Sequence, residues 1–268
     1  MTSAQLFRIL GIGMLVVVCT VGTARAQNEG NVSVATGIDF VSDYYFRGIV
    51  QETGGFIAQP FIEAGLTLND NVSITGGTWN SLHSVQKKDS TVPSWYENDF
   101  YAGLGFGANA WGGDVTYTKY MSPRGSWGSV KELALGLSYD TAIAPYMTLA
   151  FEMDSGGGAD GGSNDGTYFE LGIEPGTSLG SSASVSFPVA IGMSGSNYYE
   201  YNSTDHKFGF FSVGASIGAP LSAIPSEYGA WDFSIGLSAL VLGDGTKGIA
   251  GTTDSVVPLF SFGLSLGY

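Results

Sequence analysis

From Asn31 onward, apolar side chains recur at every second position in short bursts, separated by breaks rich in Gly, Asn, Asp and Ser. A period of two gives an extended strand one greasy face and one polar face. About 12 such segments are expected, from Asn31–Phe40 to Val257–Tyr268, and most approach the ~9–11 residues that a tilted membrane strand needs. In Phe56–Leu68 the residues Phe56, Ala58, Pro60, Ile62, Ala64, Leu66 and Leu68 share one face, opposite Ile57, Gln59, Phe61, Glu63, Gly65 and Thr67. In Tyr96–Ala108, Tyr96, Phe100, Ala102, Leu104 and Phe106 oppose Glu97, Asp99, Tyr101 and glycines. In Val130–Tyr139, Leu133, Leu135, Leu137 and Tyr139 oppose Glu132, Ala134, Gly136 and Ser138.

The polar faces decide which way the greasy ones look. A soluble barrel covers its outside with Lys and Glu, whereas these faces are lined by Gly and Ser. The chain carries 41 glycines, with 13% aromatic and 13% charged residues. That mixture predicts an all-β, closed, antiparallel up-and-down transmembrane β-barrel, greasy toward lipid and small inside. The connections agree. Asn69–Asn71, Asn109–Gly113 and Asp140–Pro145 are short; Val41–Gly55, Ser81–Trp95, Ser155–Thr167, Ser194–Lys207 and Gly243–Val256 are long. Long outer loops alternating with short periplasmic turns mark an even-stranded barrel. Ala219–Ala230 is longer than this rule allows and suggests a misplaced strand boundary.

The two ends add an address. Arg8, the apolar run Ile9–Val21 and Ala24-Arg25-Ala26 read as a secretory signal over residues 1–26, leaving 27–268 as the barrel. The single cysteine, Cys19, falls in the signal, so no disulfide or thiolate metal site is expected. Loss of Arg8 and Arg25 takes the ten basic residues to eight against 24 acidic ones, a mature charge of about −16. Such a surface repels nucleic acid. Ser261, Gly263, Leu266 and Tyr268 resemble the terminal signal by which the insertion machinery of bacterial outer membranes selects its barrels. The expected partners are outer-membrane lipid, that machinery and small solutes. No feature fixes the number of copies.

Between the first two strands stands Asp43-Tyr44-Tyr45-Phe46-Arg47-Gly48-Ile49, followed by Gln51 and Pro60. This segment resembles the D-Y-x-F-R-G-[IV] signature of the TorF-like porins, and Trp79-Asn80-Ser81 looks like a second feature of that family. The resemblance is specific over about ten residues and implies an outer-membrane β-barrel that passes small solutes. The Gly/Asp-rich stretch Ser155–Thr167 departs from it.

Extending the first strand in register places Asp39, Asp43, Tyr45 and Arg47 in the lumen, with Tyr44 and Phe46 facing lipid in an aromatic girdle. The small-residue faces add Glu63, Glu97, Asp99, Glu132, Glu152, Glu170, Glu174 and Asp232, with Arg47 and Lys119 as basic counterparts. A pore lined this way favours cations or neutral solutes. Arg47 either sets the narrowest point of the pore or forms a structural ion pair that pins a loop.

Other chemistry is thinner. G-x-S-x-G occurs at Gly214–Gly218 and Gly263–Gly267, but inside strands, without the strand–turn–helix setting of a hydrolase elbow. His83 and His206 both fall in expected outer loops; His83-Ser84 would need an added orienting group to act on an ester. Asp154, Asp160 and Asp165 lack a Ca²⁺-loop spacing. Tyr198, Tyr199 and Tyr201 suit a girdle or a sugar-stacking surface. No cofactor or enzyme activity is expected. The leading expectation is a porin-like channel for passive diffusion of small hydrophilic solutes. A non-conducting scaffold or surface-binding barrel and an outer-membrane lipid hydrolase are the alternatives.

Overall fold

The computed structural model describes residues 30–84, 94–153, 157–180 and 182–268. The expected signal peptide and Asp154 lie outside the described residues. The strands are β1 Val32–Phe46, β2 Ile49–Asn69, β3 Val72–His83, β4 Trp95–Ala108, β5 Trp111–Met121, β6 Val130–Tyr139, β7 Pro145–Glu152 and β8 Thr167–Ile173. There follow β9 Gly176–Leu179, β10 Ala183–Ser186, β11 Val189–Ser196, a small hairpin of β12 Glu200–Tyr201 and β13 Thr204–Asp205, then β14 Phe208–Pro220, β15 Ala230–Leu242 and β16 Val256–Gly267. A short helix, α1 Asp244–Ala250, rides in the last outer loop.

Each strand from β1 to β8 pairs antiparallel with the next. β8 then pairs with β11, β11 with β14, and β14 with β15 and β16. β16 returns to β1, with Ile38 opposite Leu264, and closes the cylinder. β10 and β11 share the partner β14 and make one stave, broken at Phe187-Pro188. Pro188 has no N–H to give the ladder, so pairing lapses there. The result is a closed 12-stave barrel. Closure leaves no edge for another chain to pair with.

The alternation has the expected hand. Phe100, Leu104, Phe106, Leu135, Leu137, Ile217 and Ile235 stand exposed on the outer wall, and Leu237 is 63% exposed. Their neighbours Asp99, Glu132, Ser216 and Ser234 are buried inside. Water would not tolerate so continuous an apolar wall, whereas hydrocarbon requires it. The turn Ala219–Ala230 is truly long: β14 and β15 sit in register to Pro220↔Asp232, and a 3₁₀ turn at Ser226–Tyr228 occupies the connection.

One connection departs from expectation. Val41–Gly55 is not a long loop. β1 continues to Phe46, β2 begins at Ile49, and only Arg47 and Gly48 turn the chain, at φ 50° and 83°. Positive φ at both central residues is the tight hairpin turn whose twist matches its strands. Arg47 pays roughly 1–2 kcal/mol for a left-handed backbone that glycine adopts freely.

Candidate functional site

The tip of the β1–β2 hairpin lies inside the barrel. Two register shifts, between Val41 and Asp43 and between Tyr44 and Tyr45, bend the hairpin and break the strict alternation of its faces. Tyr44, Tyr45, Phe46, Arg47 and Ile49 are therefore all buried. This corrects the girdle placement of Tyr44 and Phe46. Tyr44 packs on Trp79 at 5.5 Å and donates its hydroxyl to Glu97; Phe46 meets Tyr120 edge-on at 5.4 Å. Tyr45 belongs to the interior cluster with Ile49, Leu240, Leu242 and Leu259.

Arg47 reaches across the lumen. Its two terminal nitrogens donate to Glu132 of β6 at 2.6 and 2.9 Å, and Nη1 also donates to the Tyr198 hydroxyl at 2.8 Å. The guanidinium lies 4.2 Å from the ring centre of Tyr168 on β8 and 4.9 Å from that of Phe46. Tyr199 donates its hydroxyl to the Arg47 carbonyl at 2.9 Å, and Tyr120 donates to Glu132 at 3.1 Å. In a ring of twelve staves, β6 to β8 stand across from β1 and β2, so the arm spans the bore. The side chains of Arg47 and Glu132 are 0% and 1% exposed. A forked, fully desolvated pair of this kind is held by geometry as much as charge.

Aromatic rings fill the space around the tip, and glycines make room for them. A Cβ at Gly209 would lie 2.1 Å from the Tyr199 ring, and one at Gly192 would lie 2.2 Å from Phe210. Tyr198 and Tyr199 are thus neither a girdle nor an exposed sugar platform; both are buried against the arm. Ala159, from the Gly/Asp-rich loop, packs on the same cluster. That loop is anchored on Glu152, which accepts from the backbone N–H of Ala159 and Gly166 at 2.7 and 2.6 Å. Asp160 accepts from the N–H of Gly162 and Glu200, each at 2.7 Å, and burial still leaves its carboxyl raised. Asp205, at the small hairpin, is held low: partial burial pushes it up, but bonds from Lys207 at 2.6 Å and Ser194 at 2.7 Å outweigh that.

The other expected lumen residues fall inside the wall. Asp99 and Glu97 are buried on β4, Glu152 on β7 and Glu170 on β8, where it accepts from Tyr146 at 3.0 Å and from Tyr168. Glu63 accepts from Tyr101 at 3.0 Å, and Asp232 is buried at the other end of the wall, on β15. Asp39 and Asp43 line an interior cavity of about 140 Å³ beneath the arm, with Glu170, Glu174, Tyr146, Ser212, Ser216 and Ser261. Gly263 leaves space there for Asp39, whose Oδ1 would lie 2.4 Å from an added Cβ. Lys119 is placed differently from expectation. It stands between buried Thr118 and Tyr120 in an alternating strand, so it points outward beside Lys131. Among the described residues, Arg47 is the one arginine or lysine side chain buried inside the wall. Ser261 and Gly263 lie on the inner face of β16, Leu266 and Tyr268 on the outer one.

Sequence reasoning missed Glu52, which faces His83 at 3.7 Å, and paired His83 with the wrong serine. Ser81 Oγ lies 2.9 Å from His83 Nε2, whereas Ser84 Oγ accepts from the Phe56 N–H at 2.7 Å. His83 is no loop residue: it ends β3, is 3% exposed and stacks on Tyr96 at 4.6 Å. Both G-x-S-x-G strings lie within β14 and β16.

No family model matches the chain, and no curated relative matches it. Solved structures are similar in fold. An outer membrane channel from Pseudomonas putida F1 superposes with a TM-score of 0.52 at 11% identity, over 92% of this chain and 98% of that one. The NanC porin gives 0.48 at 10% identity, over 88% and 98%, and the KdgM porin 0.46 at 5%, over 88% and 99%. With its lipid-facing wall, the chain has the fold of a transmembrane β-barrel of the outer-membrane type.

Proposed function

We propose that this protein is a narrow porin-like channel of the bacterial outer membrane, passing small cations or small neutral solutes by passive diffusion, and that it belongs with the TorF-like porins. The observation that carries the reading is the lining: eleven carboxylates named above share the interior with one guanidinium. In a low-dielectric tube that imbalance lowers the energy of a cation and raises that of an anion. Twelve staves lie between the filled barrel of ~8 strands and the open porin of ~16. The arm narrows the bore further, with the Arg47–Glu132 pair lying across it. Reversal potentials of single channels across a KCl gradient test the reading; the sign of cation preference is expected, and anion preference would overturn it.

A second reading, a non-conducting scaffold barrel, draws on the close packing of the arm. Liposome swelling in small sugars separates the two: swelling is expected for the channel, and its absence in both the natural protein and an Arg47→Ala variant would favour the scaffold.

A further inference from the structure

A polar cluster stands on the inner wall at the end of β3. Ser81 and His83 are successive inward residues of β3, flanking Leu82, which points to lipid and is 37% exposed. Ser81 Oγ and His83 Nε2 are 2.9 Å apart, and the other ring nitrogen, Nδ1, faces Glu52 Oε2 at 3.7 Å. Nδ1 has no hydrogen-bond partner of its own. Ala58↔Leu82 and Phe61↔Trp79 put Gln59 directly opposite Ser81 on the neighbouring strand. Residues so placed on one face bring their Cβ atoms within about 4.5–5.5 Å. Gln59 is more than nine-tenths buried, its Nε2 has no partner, and it lines the interior cavity together with Trp79 and Tyr44.

We propose that Ser81, His83, Glu52 and Gln59 form a hydrolytic site for short-chain carboxylic esters on the inner face of the wall, reached from the cavity that Gln59 borders. Ser81 and His83 are within hydrogen-bond reach, as a nucleophile and its base must be, and Glu52 and Gln59 stand beside them. Ser81 is the nucleophile and His83 the base. Glu52 orients the imidazole through Nδ1, and the 3.7 Å gap is of the kind that tightens when substrate arrives. The orphaned Gln59 amide is the donor for the developing oxyanion. Ser81 Oγ forms a bond to the ester carbonyl carbon while its proton passes to His83 Nε2. The carbon–alkoxy bond then breaks, and the leaving alcohol takes that proton. A lumen water repeats the sequence on the acyl-enzyme, releasing the carboxylic acid and restoring Ser81.

The surroundings set the substrate. The site faces the lumen, so bilayer phospholipid does not reach it. Glu97, Asp99 and Asp43 disfavour anionic esters, and the cavity of about 140 Å³ admits only short acyl chains. Ser81 is fully covered in this conformation, and the way in runs from the cavity past Gln59 and Trp79.

The test treats the full chain, folded in detergent micelles, with a small alkyl fluorophosphonate, followed by peptide mass spectrometry and by turnover of p-nitrophenyl acetate. Label on Ser81 is expected, with turnover lost in Ser81→Ala and His83→Gln and reduced about 10²–10³-fold in Gln59→Leu. Glu52→Gln, a positioning change, is expected to shift downward the apparent pKa of the acidic limb, where activity rises as His83 loses its proton, which a merely structural role would not do. Absence of label on Ser81 in the folded, unsubstituted protein overturns the proposal and requires no variant to fold; so does turnover that survives Ser81→Ala.

Discussion

The two halves of this barrel are built on different physics. In the half bearing the short turns, small residues line the inside, and a cavity bordered by Asp39, Ser212, Ser216 and Ser261 holds space for water. In the half bearing the long loops, the hairpin tip and its aromatic partners fill much of the interior. Arg47, Glu132, Tyr168, Tyr198 and Tyr199 are all buried there, and glycines such as Gly192 and Gly209 serve as seats for rings. The comparison shows that strand number alone does not set a bore. The wall supplies a tube, and one two-residue turn that aims a hairpin inward decides how much of it is open.

The largest expected effect comes from orphaning the charge that holds the arm. Glu132→Ala leaves the Arg47 guanidinium buried without its carboxylate, and breaking a buried pair costs about 3–5 kcal/mol. Urea unfolding in lipid vesicles, followed by tryptophan fluorescence, is expected to show the midpoint falling; an unchanged midpoint would mean that the arm is not latched there.

Filling the open half should cost less. Gly263→Val puts branched carbon against Asp39 and Ser234, whose oxygens would lie 2.4 and 2.7 Å from the new Cβ. Overpacking of this kind costs typically ~1–3 kcal/mol. The same urea titration is expected to fall by less than for Glu132→Ala.

Tyr199→Phe removes the hydroxyl donated to the Arg47 carbonyl, worth about 1 kcal/mol. Faster amide exchange of Arg47 and Gly48, with the rest of the wall unchanged, is the expected sign. Uniform exchange across the barrel would show that the arm does not move by itself.

The smallest effect concerns the exterior. Asp205 is held below its ordinary range by Lys207 and Ser194. A carboxyl lowered in the folded state contributes stability that is present above its unfolded pKa, about 3.9, and is lost as pH falls through the folded value. Amide protection of Thr204 and Asp205 is therefore expected to stay level from neutrality to about pH 4 and to drop only below that. Loss already near pH 6 would contradict it.

What could be read from the sequence follows the same division. The outer wall was legible because alternation is a local property: Leu104 and Phe106, Leu135 and Leu137 announce their faces from neighbouring residues alone. The carboxylates were legible for the same reason, since Asp99, Glu132 and Glu170 each sit on a face otherwise small. The arm was not. Its two bulges change the parity of Tyr44 and Phe46, and a one-residue slip sends a side chain to the opposite face. The apolar residues on both sides of Arg47-Gly48 did carry a hairpin signal, because a glycine in a two-residue turn suits positive φ. Nothing local states that such a hairpin will enter the barrel instead of standing above it. That depends on Glu132, 85 residues away, and on Tyr198, 151 residues away. The partner of His83 was missed for a related reason: successive inward residues of a strand are two apart, so Ser81, not Ser84, meets it.

The most direct test of an arm that narrows the bore is single-channel conductance in planar bilayers, natural protein against Arg47→Ala. A small, cation-preferring conductance that rises several-fold when the guanidinium is removed is the expected result. A wide, steady conductance in the natural protein, unchanged by the substitution, would contradict an arm that spans the bore.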